Sequence, residues 1–351
     1  MIKNRAISQQ KIASDLGVSQ ALVSLVLNGK KENISEDSYE RIWKYAVRRG
    51  YRPKGMQTNG NHLLTPNAGF ILRAGLRLYT QSNFFSHVQH GLHAALGELG
   101  CNTLFLGAED DLDPDALTQR LERDQIFGLV IMGEVAERFL RRIRIPRHNI
   151  VSVSACYSGL CHSVMPNDRQ SLELLVQDLF EAGHRRFAWL GGNKGLKQNG
   201  IRRLAMEAAL EAKGLELDPD FVLDFSSGDR LDGRRAAQTI LERAGRKGTP
   251  TAWICLNALM ARGALNYLTQ QGWQIPGQIS VAAVDCTRVC VEEHPQITGA
   301  NADPEKMGEK AGELLLQSRN SEEEALSDIV LPSKLTTRET TGQTAGLTLP
   351  R

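Results

Sequence analysis

Ser8-Gln9-Gln10-Lys11-Ile12-Ala13-Ser14-Asp15-Leu16-Gly17-Val18-Ser19-Gln20-Ala21-Leu22-Val23-Ser24-Leu25-Val26-Leu27 is the stretch from which the fold is read. Ile12, Ala13 and Leu16 recur at helical spacing, and Ser8 stands where a hydroxyl caps a first turn. Gly17 can take the left-handed conformation that ends a helix, Val18 anchors the turn, and Ser19 is placed to cap a second helix over residues 20–27. That helix buries Leu22, Val23 and either Val26 or Leu27, and presents Gln20, Ala21, Ser24 and Leu25 outward. A third helix is expected over residues 36–49, with Ile42, Ala46 and Val47 as its core stripe. Arg49-Gly50-Tyr51-Arg52-Pro53 stops it, because Gly50 permits a cap and Pro53 cannot continue the helix. Spacing alone fits either a helix-turn-helix head that binds DNA or an ordinary helical subdomain.

Charge sharpens that choice. Residues 1–56 hold eleven Lys and Arg against five Asp and Glu, whereas the whole chain carries only +2. A basic head on a mildly acidic body suits attraction to a phosphate backbone, where each neutralised phosphate releases counterions. Ile12-Ala13, Leu16-Gly17-Val18-Ser19, Val23-Ser24, Leu27-Asn28-Gly29, Ile34-Ser35 and Gly50-Tyr51-Arg52-Pro53, in this order and spacing, resemble the head of the lac repressor family. The resemblance implies that the second helix enters the major groove. Gln20, Ala21 and Leu25 then stand at base-reading positions, and Asn33 lies in the loop that follows. Gln20 suits a two-headed contact with adenine, while Ala21 and Leu25 offer only apolar contact. Ser8, Ser19, Ser24, Asn28, Ser35 and Tyr51 complete the expected DNA contacts; Ser19, Ser24, Asn28 and Ser35 match positions that hold phosphates and set register.

Beyond the head, assigned to residues 1–54, the resemblance implies a short hinge helix whose leucine wedges into the minor groove. Residues 55–67, Gly55-Met56-Gln57-Thr58-Asn59-Gly60-Asn61-His62-Leu63-Leu64-Thr65-Pro66-Asn67, depart from that pattern and read as a flexible tether. Leu63 or Leu64 is the only wedge candidate there.

From Ala68 onward, apolar runs alternate with amphipathic helical stretches such as residues 85–99 and 172–182. The runs are residues 69–72, 102–106, 128–132, 150–153, 186–190, 252–256 and 279–284. Alternation of this kind predicts an α/β body of parallel sheets covered by helices on both faces, in two lobes. Gly183-His184-Arg185-Arg186, Arg203-Leu204-Ala205, Ile275-Pro276 with Ile279-Ser280-Val281, and Arg338-Glu339-Thr340-Thr341 extend the resemblance to the family's effector-binding body. It implies a periplasmic-binding-protein-like fold over residues 68–342, with lobes divided near 165 and 295, a late crossover near 330, and a tail over 343–351.

Ligands of such sheets sit beyond the carboxyl ends of strands. The resemblance therefore places Asp285, Arg203, Asn257, Phe84 and Phe85 at the cleft, with Asp168 a further candidate at a strand exit. Arg203 and Asp285 either touch a ligand or form an inter-lobe salt bridge; Phe84 and Phe85 either face the cleft or belong to the core; solvent exposure is the alternative for Asp168. Asn257-Ala258 stands where the family has an Asn-Asp pair, Ala283-Val284-Asp285 replaces Gly-x-Asp, and Gly228 occupies the place of a stacking aromatic. Phe225 and Trp189 are the candidates to replace that ring.

Six scattered cysteines lack a CxxC pair or a nearby His at zinc-ligand spacing, and are expected to be free thiols in a reducing compartment. No apolar run is long enough to cross a bilayer, and the polar start shows no secretory signal, so a cytoplasmic location is expected. With no GxGxxG or GxxxxGK[ST], Gly191-Gly192-Asn193-Lys194-Gly195 is only superficially phosphate-loop-like. His184 is expected to be structural. Neither cofactor nor metal nor enzymatic activity is expected. The chain reads as a dimeric, DNA-binding transcription regulator, with a repressor role controlled by a small molecule, a sugar or related polar metabolite, held between the lobes. The alternative is a solute-binding or sensor body without effector-coupled DNA release.

Overall fold

In a computed structural model of the chain, residues 8–27, 34–48, 66–76, 83–320 and 325–344 are described. The head holds α1 (Gln9–Leu16), α2 (Gln20–Leu27) and α3 (Glu36–Arg48). Ser8 caps α1 through Lys11 N to Oγ at 3.2 Å, and Gly17 ends it at φ 65°. Leu22 N donates to Ser19 Oγ at 3.1 Å, so both start signals act as their local chemistry requires. Ile12, Val23, Val26, Leu27, Ile42 and Ala46 form one small core. Leu22, expected inside, is only half-buried, because Val26 and Leu27 both turn inward. The side chain of Val47 and the tether at 55–65 lie outside the described residues.

The first lobe begins with β1 (Asn67–Leu72), α4 (Asn83–Gly97), β2 (Asn102–Ala108), α5 (Pro114–Arg123) and β3 (Ile126–Met132). It continues through α6 (Glu137–Arg142), β4 (Ile150–Val153) and β5 (His162–Pro166). The chain then crosses to the second lobe, built from α7 (Asp168–Glu181), β6 (Phe187–Gly191), α8 (Lys197–Glu211), β7 (Val222–Asp224) and α9 (Arg230–Gly248). β8 (Ala252–Cys255), α10 (Ala258–Gln270), β9 (Ser280–Ala283), α11 (Val289–Glu292) and β10 (Thr298–Asn301) follow. α12 (Pro304–Asn320) and β11 (Asp328–Leu331) return to the first lobe, and β12 (Lys334–Thr336) to the second.

Each lobe holds a six-stranded sheet, ordered β11-β5-β4-β3-β1-β2 and β12-β10-β9-β8-β6-β7. All pairings are parallel except β10 with β12. The central strands are apolar on both faces because helices cover both, as in Ile126–Met132, where all but one residue is buried. Among the described residues no helix is long and apolar enough to cross a membrane.

α12 follows a strand of the second lobe but packs on α4 of the first. The two helices approach until backbones touch: a Cβ on Gly91 would collide with the Glu305 carbonyl, and one on Gly308 with that of Val88. Only hydrogen fits at either position. Gly91→Ala should therefore force α4 and α12 apart, at a cost of about 1–3 kcal/mol. Thermal unfolding should show a lowered midpoint, with a control substitution at Gly97, where a Cβ meets nothing within 4 Å, having far less effect.

Candidate nucleic-acid interface and ligand cleft

The outer face of α2 is set by helical geometry: Val23, Val26 and Leu27 anchor it, leaving Gln20 and Ala21 exposed and Ser24 half-buried. Leu25 keeps 41% of its surface exposed although it is a large apolar residue. Ser35 Oγ accepts from Ser38 N at 3.3 Å and so opens α3. Ser8, Ser19 and Ser35 thus sit at helix N-termini, where N–H groups and hydroxyls favour an anion. Tyr45 Oη donates to Asp15 Oδ2 at 2.6 Å, tying α3 to α1, and within α1 Lys11 pairs with Asp15 at 2.8 Å. Asn28, Asn33 and Tyr51 lie outside the described residues.

Between the lobes lies a cavity of about 490 Å³, lined from both sides by residues that leave the carboxyl ends of strands. Asp285 follows β9 by two residues and is buried. Its Oδ1 accepts from Ala258 N at 2.9 Å. Burial raises its pKa to about 6, against the opposing pull of Arg202 and the Ala258 N–H. Asn257 lines the cavity while capping α10: its Oδ1 accepts from Met260 N at 2.9 Å, and its Nδ2 donates to Gly228 O at 2.9 Å. Phe84 and Phe85 both line the cavity and meet edge to face, with centroids 5.2 Å apart.

Two expectations require correction. Arg203 does not line the cavity; it pairs with Glu207 on the outside of α8 at 3.2 Å. Arg202 takes the inner position, with Nε donating to Asp168 Oδ1 at 2.8 Å and Nη1 to Leu256 O at 2.7 Å. Asp168 is buried, not solvated, and stands behind Arg202 without lining the cavity itself. The buried face of α8, Asn199, Arg202, Met206, Ala209 and Leu210, is a regular helical stripe and was the signal available. Ile201 and Leu204, 49% and 60% exposed, obscured it by placing apolar side chains on the opposite face.

The missing aromatic is not replaced from within the second lobe. Trp189 is fully buried, and Phe225 packs on the core without reaching the cavity. Gly228, at φ 73°, brings its loop against Gly192, where a Cβ would strike the Gly228 Cα. Among the described residues, the cavity's aromatic surface comes from Phe84 and Phe85 of the opposite lobe.

Three lining residues carry roles that the sequence reading did not single out. Arg73, directly after β1, donates from Nη2 to Asn193 Oδ1 at 2.9 Å across the cleft; burial lowers its pKa, with Glu134 opposing. Glu134 Oε2 accepts from Lys197 N at 2.8 Å, so the first lobe caps the opening turn of α8 in the second. Ser154, after β4, holds a left-handed φ of 62°, and its buried Oγ meets no hydrogen-bond partner among the described residues. All three follow strands, beyond whose carboxyl ends the ligands of such sheets sit. The glycine loop contributes Asn193 to this bridge. His184 is buried and bonds Thr251 and Ser280, each at 2.9 Å, and its pKa is lowered by burial, as for a structural imidazole.

A helix-turn-helix head joined to two lobes around a polar cleft defines a ligand-regulated DNA-binding protein as a class. Residues 176–341 match the family model described as a periplasmic binding protein-like domain. The maltose regulon regulatory protein MalI of Escherichia coli (strain K12) is 27% identical, over 95% of this chain and 99% of its own length. Catabolite control protein A of Priestia megaterium is 23% identical, over 94% and 98%. In structure, a complex of the transcriptional regulator CelR with cellobiose aligns at TM-score 0.69 and 23% identity, over 95% of this chain and 99% of that one. The lac repressor dimer bound to operator and the anti-inducer ONPF aligns at 0.69 and 19%, over 96% and 100%, and shares the fold. Over nearly its whole length the chain is similar to DNA-binding transcription regulators of the lac repressor family.

The buried Arg202 should separate sharply from its neighbour. Arg202→Ala strands Asp168 and Asp285 without their cation and should cost about 3–5 kcal/mol. Arg203→Ala removes only an exposed helical pair and should cost less than about 0.5 kcal/mol. Unfolding midpoints of the two variants, measured side by side, check the assignment; equal effects would reject it.

Proposed function

We propose that the chain is a homodimeric repressor, with a head over residues 1–54, a linker over 55–67 and a body over 68–342, whose operator affinity is set by a polar metabolite in the cleft. The observation that carries this reading is the convergence of hydrogen-bonding groups from both lobes on one cavity. Arg73, Glu134 and Ser154 come from the first lobe, and Arg202, Asn257 and Asp285 from the second. A ligand held by both sides binds one lobe angle better than another, and this difference in affinity is what shifts a conformational equilibrium. The volume suits a small metabolite. Carboxylates, guanidinium groups, amides and an unspent hydroxyl beside a pair of aromatic rings suit a polyhydroxylated one. CelR was solved with cellobiose and an Enterococcus faecium relative with ribose, and the same chemistry serves here.

On the DNA side, Gln20 reads a base edge in the major groove, with Ala21 and Leu25 packing on apolar base surface. Ser8, Ser19, Ser24 and Ser35 hold the backbone, with Asn28, Asn33 and Tyr51 as further contacts. Two copies pair through the first lobe of the body, as the family resemblance implies.

Selection from a random DNA pool should yield a sequence with two related half-sites. Gln20→Ala should relax one base position in each at about 1–3 kcal/mol, and deletion of residues 1–54 should abolish binding. Operator affinity unchanged by that deletion would sink the reading.

For the cleft, thermal-shift screening of sugars and related polyols should find a ligand, and its addition should alter operator affinity. Asp285 offers its acceptor form above pH about 6 and is neutralised below it. Ligand affinity should therefore fall as pH drops through about 6, and Asp285→Asn should flatten that profile. Because the folded carboxyl titrates above its unfolded value of about 3.9, protonation favours the folded state. Asp285's contribution to folding should grow as pH falls from about 6 toward 4, opposite to its effect on ligand.

A further inference from the structure

The segment that carries Asp285 into the cleft also carries two thiols with no part in the cavity lining. Cys286 is the next residue and is partly exposed; Cys290, in α11, is fully buried. Arg338 Nη1 donates to Cys286 Sγ at 3.5 Å and to Ile297 O at 2.7 Å, which fixes the guanidinium beside the sulfur. Cys290 Sγ donates to the Asp285 carbonyl at 3.6 Å, and Cys290 stands four residues after Cys286, in the first turn of α11.

This arrangement makes the pair unequal. The Cys290 S–H, then Arg338, favours the Cys286 thiolate and outweighs burial, bringing its pKa down to about 7. The same sulfur–sulfur bond and burial push that of Cys290 well up. One thiol is a nucleophile at neutral pH and the other keeps its proton, as attack and resolution require. Elsewhere Cys101, Cys161 and Cys255 are buried, and the exposed Cys156 lies 3.8 Å from the Ser158 hydroxyl.

We propose that Cys286 and Cys290 are a modification site for hydroperoxides, closing to a disulfide next to the cleft carboxylate. The Cys286 thiolate attacks one peroxide oxygen, the O–O bond breaks, and the departing oxygen leaves as hydroxide or alkoxide and takes a proton from water. The product is a sulfenic acid at Cys286. The Cys290 sulfur then attacks the Cys286 sulfur; the S–S bond forms, the S–O bond breaks, and the hydroxyl leaves with the Cys290 proton as water. Two electrons pass from the sulfurs to the peroxide, with no further reductant or cofactor. Once closed, the bridge removes the Cys290 donor from the Asp285 carbonyl, so oxidation alters the support of the loop that presents Asp285.

The full-length protein, treated with stoichiometric hydrogen peroxide at pH 7 and then alkylated, provides the test. Trypsin cuts after Arg288, between the two cysteines, so the disulfide appears as a linked peptide pair. The expected result is loss of two of the six thiols, reversed by dithiothreitol, with oxidation falling first on Cys286, the thiol held beside the Arg338 guanidinium. Cys290→Ser should leave a sulfenic acid on Cys286 that dimedone traps, and Cys286→Ser should abolish the linked pair. Oxidation falling first on Cys156, retention of all six thiols, or a dimedone adduct on wild-type Cys286 without a linked pair would each overturn the proposal.

Discussion

A buried guanidinium organises the effector body. Arg202, with 8% of its side chain exposed, is held by Asp168 at the start of α7 and by the Leu256 carbonyl at the end of β8, and its charge opposes the rise in the Asp285 pKa. A cation in a low-dielectric interior needs such partners, because removing it from water costs several kcal/mol that only good geometry repays. Four elements distant in sequence, α7, α8 and the exits of β8 and β9, are thereby brought to one place. The cleft's chemistry is a consequence: Asp285 is poised near neutrality because burial and Arg202 act on it in opposite directions.

The lobes are joined by three chain crossings and by direct contacts over the cleft. α12 belongs by sequence to the second lobe's run of strands and by packing to the first, held by backbone contact with α4. Arg73 with Asn193, and Glu134 with the α8 N-terminus, bridge the cleft edge. Both bridges join side chains to polar groups across a cavity that a ligand would share, so a ligand competes with them or builds on them. This is a physical route from occupancy to lobe angle, made of a few hydrogen bonds whose net worth is individually modest.

Much of this was legible before any coordinates. The head helices depend on local signals, a capping hydroxyl three residues ahead of the amide it serves and a glycine free to adopt positive φ, and these act through neighbours in the chain. The seven long apolar runs were visible because strands buried on both faces need no polar alternation. β5, β7, β10, β11 and β12 were not singled out. They are short, and several, such as Thr298-Gly299-Ala300-Asn301, are weakly apolar; partners recruited from far along the chain make them strands. The same holds at the cleft. Asp285, Asn257, Phe84 and Phe85 stand at strand exits or helix starts that the run pattern locates, whereas choosing Arg202 over Arg203 needs the rotation of α8, which Ile201 and Leu204 disguise.

The sequence by itself determined the kind of protein: a basic helix-turn-helix head before an alternating α/β body. That followed because capping, periodicity and charge are properties of neighbouring residues. Only the tertiary structure decided which arginine enters the cleft, that Asp168 supports it from behind, that Phe84 and Phe85 supply the aromatic wall, and that Ser154 keeps a buried hydroxyl unspent. Each of these depends on long-range packing, in which burial and the satisfaction of polar groups by distant partners override what any local stretch prefers.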